Sequence, residues 1–363
     1  MKKRSITRKL KTLGIALAVT IITIASVYFL FVYSSIPFIK YWREIWIETA
    51  MTTGDHQWLA TSFIPRKIID EVMEHQFPPD RGDTIGGEEH LEHKVEEDEN
   101  ENDTNNADIL NQQNLKAGDK DYAGYTVLVN DIEQGIIISE ITGSGYKGKI
   151  MLIDDPSRIF IGVTPYKYSE GLRIKDMIAY YDAAAGINAS GFSDPNGEGT
   201  GADVIGMSCA QGEFWGTYVN YYGSVVITES DKLVVGNIAV WENYAIRDGI
   251  QFGPVLIADG EKHAEGSNGY GIQPRTAIGQ REDGVIALLV IDGRNVLHSI
   301  GCTVGELADI LLKYEIVNAA CCDGGSSSVL AYDGEVITKN SSANPTYGRR
   351  LPNAFLVKKK NIQ

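Results

Sequence analysis

The chain has 363 residues, 43% of them apolar, and carries a net charge of −15 from 33 Lys and Arg against 48 Asp and Glu. That apolar content is ample for the core of one or two domains and excludes wholesale disorder, while the acidic balance argues against a nucleic-acid partner, whose phosphates demand a basic face. Thirty-eight glycines favour turns and short strands over a helical bundle, and Cys209, Cys302, Cys321 and Cys322 are too few and too irregularly spaced for a disulfide framework or a four-thiolate zinc site.

In chain order, Lys2, Lys3, Arg4, Arg8, Lys9 and Lys11 precede an uncharged run from Leu13 to Tyr33. About twenty apolar residues span a bilayer, and basic residues stay on the cytoplasmic side. Residues 1–12 are therefore predicted as a cytoplasmic tail and 13–33 as a transmembrane anchor, with the remainder outside the cytoplasm in a single-pass protein. A cleaved signal peptide is the rival. It is disfavoured because the run ends Phe31-Val32-Tyr33-Ser34-Ser35-Ile36-Pro37 without a clear Ala-x-Ala site. Residues 34–76 read as a membrane-proximal segment, with Trp42 and Trp46 at headgroup height. From Asp83 to Asp108 eleven acids stand against Lys94 alone. Residues 77–121 are therefore predicted as an acidic disordered linker.

From residue 122 to 360 short β-branched runs recur: Tyr125 to Val129, Gly135 to Ile141, Ile150 to Ile153, Arg158 to Val163, Val225 to Glu229, Val255 to Ala258 and Val285 to Ile291. Helices are expected over Leu172 to Ala184 and Val304 to Tyr314, the second opened by a capping box, Thr303-Val304-Gly305-Glu306. Ile316 to Cys322 reads as a buried strand ending at Asp323-Gly324-Gly325. The predicted fold is α+β, a strand-rich mixed-sheet domain with a few helices behind the transmembrane helix.

Several motifs carry little. Gly143-Ser-Gly145-Tyr-Lys-Gly148 has dinucleotide-loop spacing, but strand-like sequence on both sides makes it a hairpin turn. Asp194-Pro-Asn196-Gly-Glu198-Gly199 has the opening spacings of a calcium loop, but Ile205 stands where a bidentate glutamate belongs, so a polar turn is favoured. No His-Glu-x-x-His, Gly-x-Ser-x-Gly or phosphate-loop motif occurs.

Two places remain. Asp283-Gly284 lies between two strand-like runs and signals a hairpin. Taken as a two-residue loop, it sets Arg275 directly opposite Asp292, with Arg294 on the same face. Two guanidinium groups around one carboxylate suit either phosphate binding or a structural ion pair. The second place is Asp323-Gly324-Gly325-Ser326-Ser327-Ser328, an acid at the end of an apolar strand. Two glycines admit a ligand oxygen to backbone amides, and the serines add donors. Cys321 and Cys322 are small core residues expected to point to opposite faces.

These residues resemble the phosphodiester glycosidase family. The likeness rests on Pro274-Arg275-Thr276-Ala277-Ile278-Gly279, Asp292-Gly293-Arg294, Glu306-Leu307-Ala308, Asp323-Gly324-Gly325-Ser326-Ser327 and Arg350-Leu-Pro-Asn353-Ala, and takes in Gly186-Ile187-Asn188-Ala189-Ser190-Gly191-Phe192. It departs from the family at Cys321-Cys322, where Asn-Leu is usual, and at Ser326, where a third glycine is common. The resemblance implies hydrolysis at a sugar anomeric carbon whose leaving group is a phosphate ester. Arg275, Arg294 and Arg350 then become phosphate candidates, and Asp323, with Asp292 second, the carboxylate acting as base or nucleophile. Asn188 and Asn353 are expected on sugar hydroxyls, with Thr276, Gly324, Gly325, Ser326 and Ser327 as further substrate contacts. No cofactor or metal is required by this scheme, although a divalent ion shared by Asp292 and Asp323 stays open. The expected substrate is a phosphodiester-linked carbohydrate of the cell envelope or an exopolysaccharide. The competing class is a non-catalytic envelope protein that binds glycan or phosphate polymer.

Overall fold

The computed structural model describes residues 2–54, 56–74, 85–92, 115–195 and 199–360. Most of the acidic stretch, and Asn196 to Glu198 of the calcium-like turn, fall outside the described residues. Helix α1 (Lys2–Tyr33) contains the apolar run, and its portion Lys11–Tyr33 has mean hydropathy 2.5 and is almost wholly exposed. Three helices follow, α2 (Pro37–Met51), α3 (Trp58–Thr61) and α4 (Arg66–Glu74). They bury Ile47, Ala50, Ala60, Ile64 and Ile69 against one another. The segment expected to be membrane-proximal is thus a small helical unit with its own core.

Three antiparallel sheets make the remainder. The eight-stranded sheet runs in the order Glu261–Lys262, Val255–Ala258, Ile316–Cys322, Arg275–Arg281, Ile286–Ile291, Lys147–Ile153, Ile136–Thr142 and Thr126–Asp131. A five-stranded sheet is centred on Ala183–Asn188 and Asn353–Lys358, and a six-stranded sheet on Ser224–Thr228 and Ile246–Gln251. Ile138 and Leu288 from the first, Ile187 and Phe355 from the second, and Val225 and Ile227 from the third share one apolar cluster. The outer face of the large sheet is covered by α6 (Val304–Lys313), after α5 (Ile174–Tyr180) in chain order, through Leu307, Leu311 and Tyr314. The α+β expectation holds. So does the capping box, in which the Thr303 hydroxyl accepts from the Glu306 amide at 3.2 Å and the Thr303 amide donates to the Glu306 carboxylate at 2.9 Å. Cys321 and Cys322 face opposite clusters, as a strand requires.

Three expectations change. The helix predicted over Leu172 to Ala184 stops at Tyr180, because Asp182 turns the chain at φ +49 and the alanines enter the middle of a buried strand. Within the span predicted as disordered linker, Ile85–Gly86 pairs with Leu233–Gly236, and the Gly87 amide donates to the Asp259 carboxylate at 2.7 Å. Ile85 and Leu91 are apolar residues in that acidic run, and both pack on the core beneath the six-stranded sheet. Finally, Arg275 pairs with Ile291 and not with Asp292. The loop closes at Arg281 and Val285, with Gly284 at φ +90 as its third residue. A two-residue type I′ loop needs positive φ at both positions. Asp283 does not adopt it, so the register shifts by one and Asp292 falls on the other face.

Candidate active site

The strand Ile316–Cys322 delivers Asp323 to the floor of a cavity of about 1050 Å³. The backbone of Asp323 is pinned on both sides: its amide donates to Ala189 O at 2.9 Å and its carbonyl accepts from Asn188 Nδ2 at 2.6 Å. Burial raises the carboxyl from 3.8 to about 6, against the lowering effects of the Ser327 hydroxyl, the Arg349 guanidinium and the Gly324 amide. The chain then passes close under neighbours. A Cβ on Gly324 would lie 2.9 Å from Pro274 O, and Gly325 adopts φ +60 beside the Arg294 guanidinium. Glycine is needed at both.

Arg275, Arg294, Gly324, Gly325, Ser326 and Ser327 all line this cavity with Asp323. Arg275 is nearly buried, its Nε donating to Cys302 O at 3.3 Å and its Nη2 to Tyr270 O and Gly271 O at 2.9 and 2.8 Å. Arg294 reaches Gln273 Oε1 through Nε at 3.3 Å and Nη2 at 3.0 Å. The remaining residues expected at the substrate are placed elsewhere. Asn188, Thr276 and Asn353 are fully buried and absent from the cavity lining. Asn188 Oδ1 accepts from the Thr276 hydroxyl at 2.9 Å and from the Val329 amide at 3.0 Å, so it positions the Asp323 strand end. Asn353 does the same for the neighbouring chain, accepting from the Ser190 amide and donating to the Ser190 and Ser208 hydroxyls, each at 2.9 Å. Arg350 turns outward to Glu170 at 2.9 Å and is absent from the lining. Asp292 is absent from it too. Its carboxylate lies 2.7 Å from His298 Nε2 and accepts from the Lys339 amide at 2.9 Å. Among the described residues no three His, Cys, Asp or Glu side chains gather as metal ligands.

Sequence reasoning missed four contributors. Arg349, beside the residue expected, lines the cavity, pairs with Asp194 at 2.6 Å and lies 4.7 Å over the Phe192 ring. The Arg349-Arg350 doublet was the only signal, and outside a strand no alternation tells which of the two faces inward. Asp194 was visible only as part of a polar turn. Tyr222 and Phe252, both in the cavity lining, stack at 4.9 Å. Burial raises the Tyr222 hydroxyl, and the nearby Asp323 charge raises it further. Nothing in the sequence marks these rings as a pair. Burial likewise keeps the Cys322 thiol protonated, which removes it as a nucleophile.

A half-buried acid of raised pKa, three guanidinium groups and two stacked rings around one cavity have the chemistry that an anionic, ring-bearing ligand requires. Comparison with known proteins narrows the class. Residues 181–358 match the family model for phosphodiester glycosidases, so the resemblance carried by the motifs is shown. The chain is 26% identical over 281 residues to the SPbeta prophage-derived uncharacterized protein YomE of Bacillus subtilis strain 168, covering 70% of this chain and 42% of that protein. It is 38% identical over 63 residues to the N-acetylglucosamine-1-phosphodiester alpha-N-acetylglucosaminidase of Bos taurus, covering 17% of this chain and 12% of that enzyme. The chain thus spans less than half the length of either relative. The catalytic domain of the zebrafish enzyme of the same name shares the fold, with a TM-score of 0.51 and 18% identity over 62% of this chain and 82% of that one.

Proposed function

We propose that this protein is a membrane-anchored, extracytoplasmic phosphodiester glycosidase that hydrolyses the bond between a sugar anomeric carbon and a phosphodiester. The observation that carries the reading is the meeting of Asp323 with Arg275, Arg294 and Arg349 in one cavity. A phosphate ester leaves with little help from protonation, so the site need only hold its charge and stabilise the sugar cation that develops. Arg275 and Arg294 receive the phosphate, and Gly324 and Gly325 let it approach the backbone. Asp323, ionised above about pH 6, acts at the anomeric carbon as base or nucleophile. The sugar ring packs its C–H face on Tyr222 and Phe252. Cell-envelope or exopolysaccharide glycans are the proposed source of substrate.

Retention of α1 as an anchor is supported by its last turn, which is built into the helical unit. Buried Arg43 donates through Nη1 to Val32 O at 2.9 Å and to Ser34 O at 3.0 Å, and the Tyr28 hydroxyl donates to Phe63 O at 2.9 Å. The basic residues before the span favour a domain outside the cytoplasm. The test is release of reducing sugar from N-acetylglucosamine 1-(methyl phosphate) by the full chain in detergent. Tight binding of that compound without cleavage would instead establish a binding protein.

A further inference from the structure

The helical unit is part of the cavity wall. Met51, Thr52, Thr53, Gly54 and His56 line it from the end of α2, and Met73 from α4. The attachment is specific. Gln273, which holds Arg294, also donates from Nε2 to Thr49 O at 2.8 Å, and the Ile272 amide donates to the Thr49 hydroxyl at 3.0 Å. At Gly271, with φ +61, a Cβ would lie 2.5 Å from Thr49 N, so the two backbones meet closely there. Half-buried Met51 and Met73 pack on the unit's apolar cluster, as does Phe31 from the last turns of α1. The unit that packs on the last turns of the candidate membrane span therefore also brings two half-buried methionines into the cavity lining, where it docks on the Gln273 that holds Arg294.

We infer that the second ester of the substrate phosphate is a lipid, so that the enzyme takes a sugar joined through its anomeric carbon to a lipid phosphate. This rests on the glycosidase reading above and names its substrate class. The phosphate sits at Arg275 and Arg294, the sugar on Tyr222 and Phe252, and the lipid chain crosses Met51 and Met73 towards the membrane. Water adds to the anomeric carbon, the bond from that carbon to the phosphate oxygen breaks, and the products are a reducing sugar and a lipid monophosphate. One proton of the water remains on the new sugar hydroxyl, and the other passes through Asp323 to the solvent or the departing phosphate.

The test compares two probes with the full chain in detergent micelles, N-acetylglucosamine 1-(farnesyl phosphate) and its methyl counterpart. The expected kcat/KM ratio favours farnesyl by at least about tenfold, the effect of burying roughly two methylenes. In the variant Met51→Gln/Met73→Gln that ratio falls towards one. A ratio near one in the wild type, with both probes cleaved, overturns the lipid inference and leaves the glycosidase reading standing. A preference that persists in the double variant is partition into the micelle and also overturns it. Cleavage of neither probe overturns the glycosidase reading and the inference with it. Should the double variant fail to fold, product inhibition of the wild type decides: farnesyl phosphate must inhibit more strongly than methyl phosphate, and equal inhibition is fatal.

Discussion

Replacing Asp323 by Asn tests the site through two readouts that share one cause. Burial lifts this carboxyl from 3.8 to about 6, a displacement that corresponds to about 3 kcal/mol between its protonated and ionised forms. An acid whose folded value is raised holds its proton more tightly when folded. Its contribution to stability is therefore most favourable below about pH 4 and declines as pH rises to about 6. Asparagine keeps the shape without the charge. At pH 8 Asp323→Asn should be more stable than the wild type, and below about pH 4 the advantage should vanish. Since Asp323 is only half-buried and faces the open cavity, water reduces the gain to about 1 to 3 kcal/mol. Denaturant titrations of both proteins at pH 4 and pH 8 in one detergent measure it. The same substitution should lower turnover by at least about a hundredfold, and wild-type kcat/KM should rise with pH through about 6. Identical pH dependence of stability in the two proteins would refute the buried charge, and wild-type turnover in the variant would refute its role in the chemistry.

Asn188→Ala should cost about 2 to 3 kcal/mol, read from the denaturation midpoint, because it strands the Asp323 carbonyl and the Val329 amide in the interior. Arg349→Ala removes a cation that lowers the Asp323 carboxyl, so the acid limb of the kcat/KM profile should move to higher pH, whereas Arg350→Ala, at an outward pair with Glu170, should leave that limb in place. Gly271→Val inserts a side chain where Thr49 docks at a left-handed φ. Hydrogen exchange at the amides of residues 49–52 should quicken in this variant while that of Ile316–Cys322 does not change.

Legibility in the sequence followed the kind of force that fixes each element. Val255–Ala258 and Ile316–Cys322 were readable to the residue because β-branched or small apolar runs end there in turn formers. The capping box was readable because both partners are local. Ala183–Asn188 was not, since three alanines favour a helix when considered alone and only burial between Leu330–Tyr332 and Asn353–Lys358 makes them a strand. The pairing of Ile85–Gly86 was hidden for a related reason. Acids crowd the sequence around it, Asp83 before and Glu88 and Glu89 after, and its partners lie some 150 positions away.

The site shows the same division, and the hairpin explains its most instructive element. Opposition of Arg275 to Asp292 would have cancelled one charge with the other. The one-residue shift instead leaves Arg275 among the carbonyls of Tyr270, Gly271 and Cys302. Neutral acceptors orient a guanidinium without neutralising it, which is what a phosphate site requires. Arg294 receives similar orientation from an amide oxygen, that of Gln273. Arg349 differs, because the Asp194 carboxylate offsets most of its charge, so it acts on Asp323 more than on an incoming anion. Sequence can supply three arginines, but the partners that orient them bear on which can take the phosphate, and those partners range from Gly271, four positions before Arg275, to Asp194, on a turn remote in sequence from Arg349.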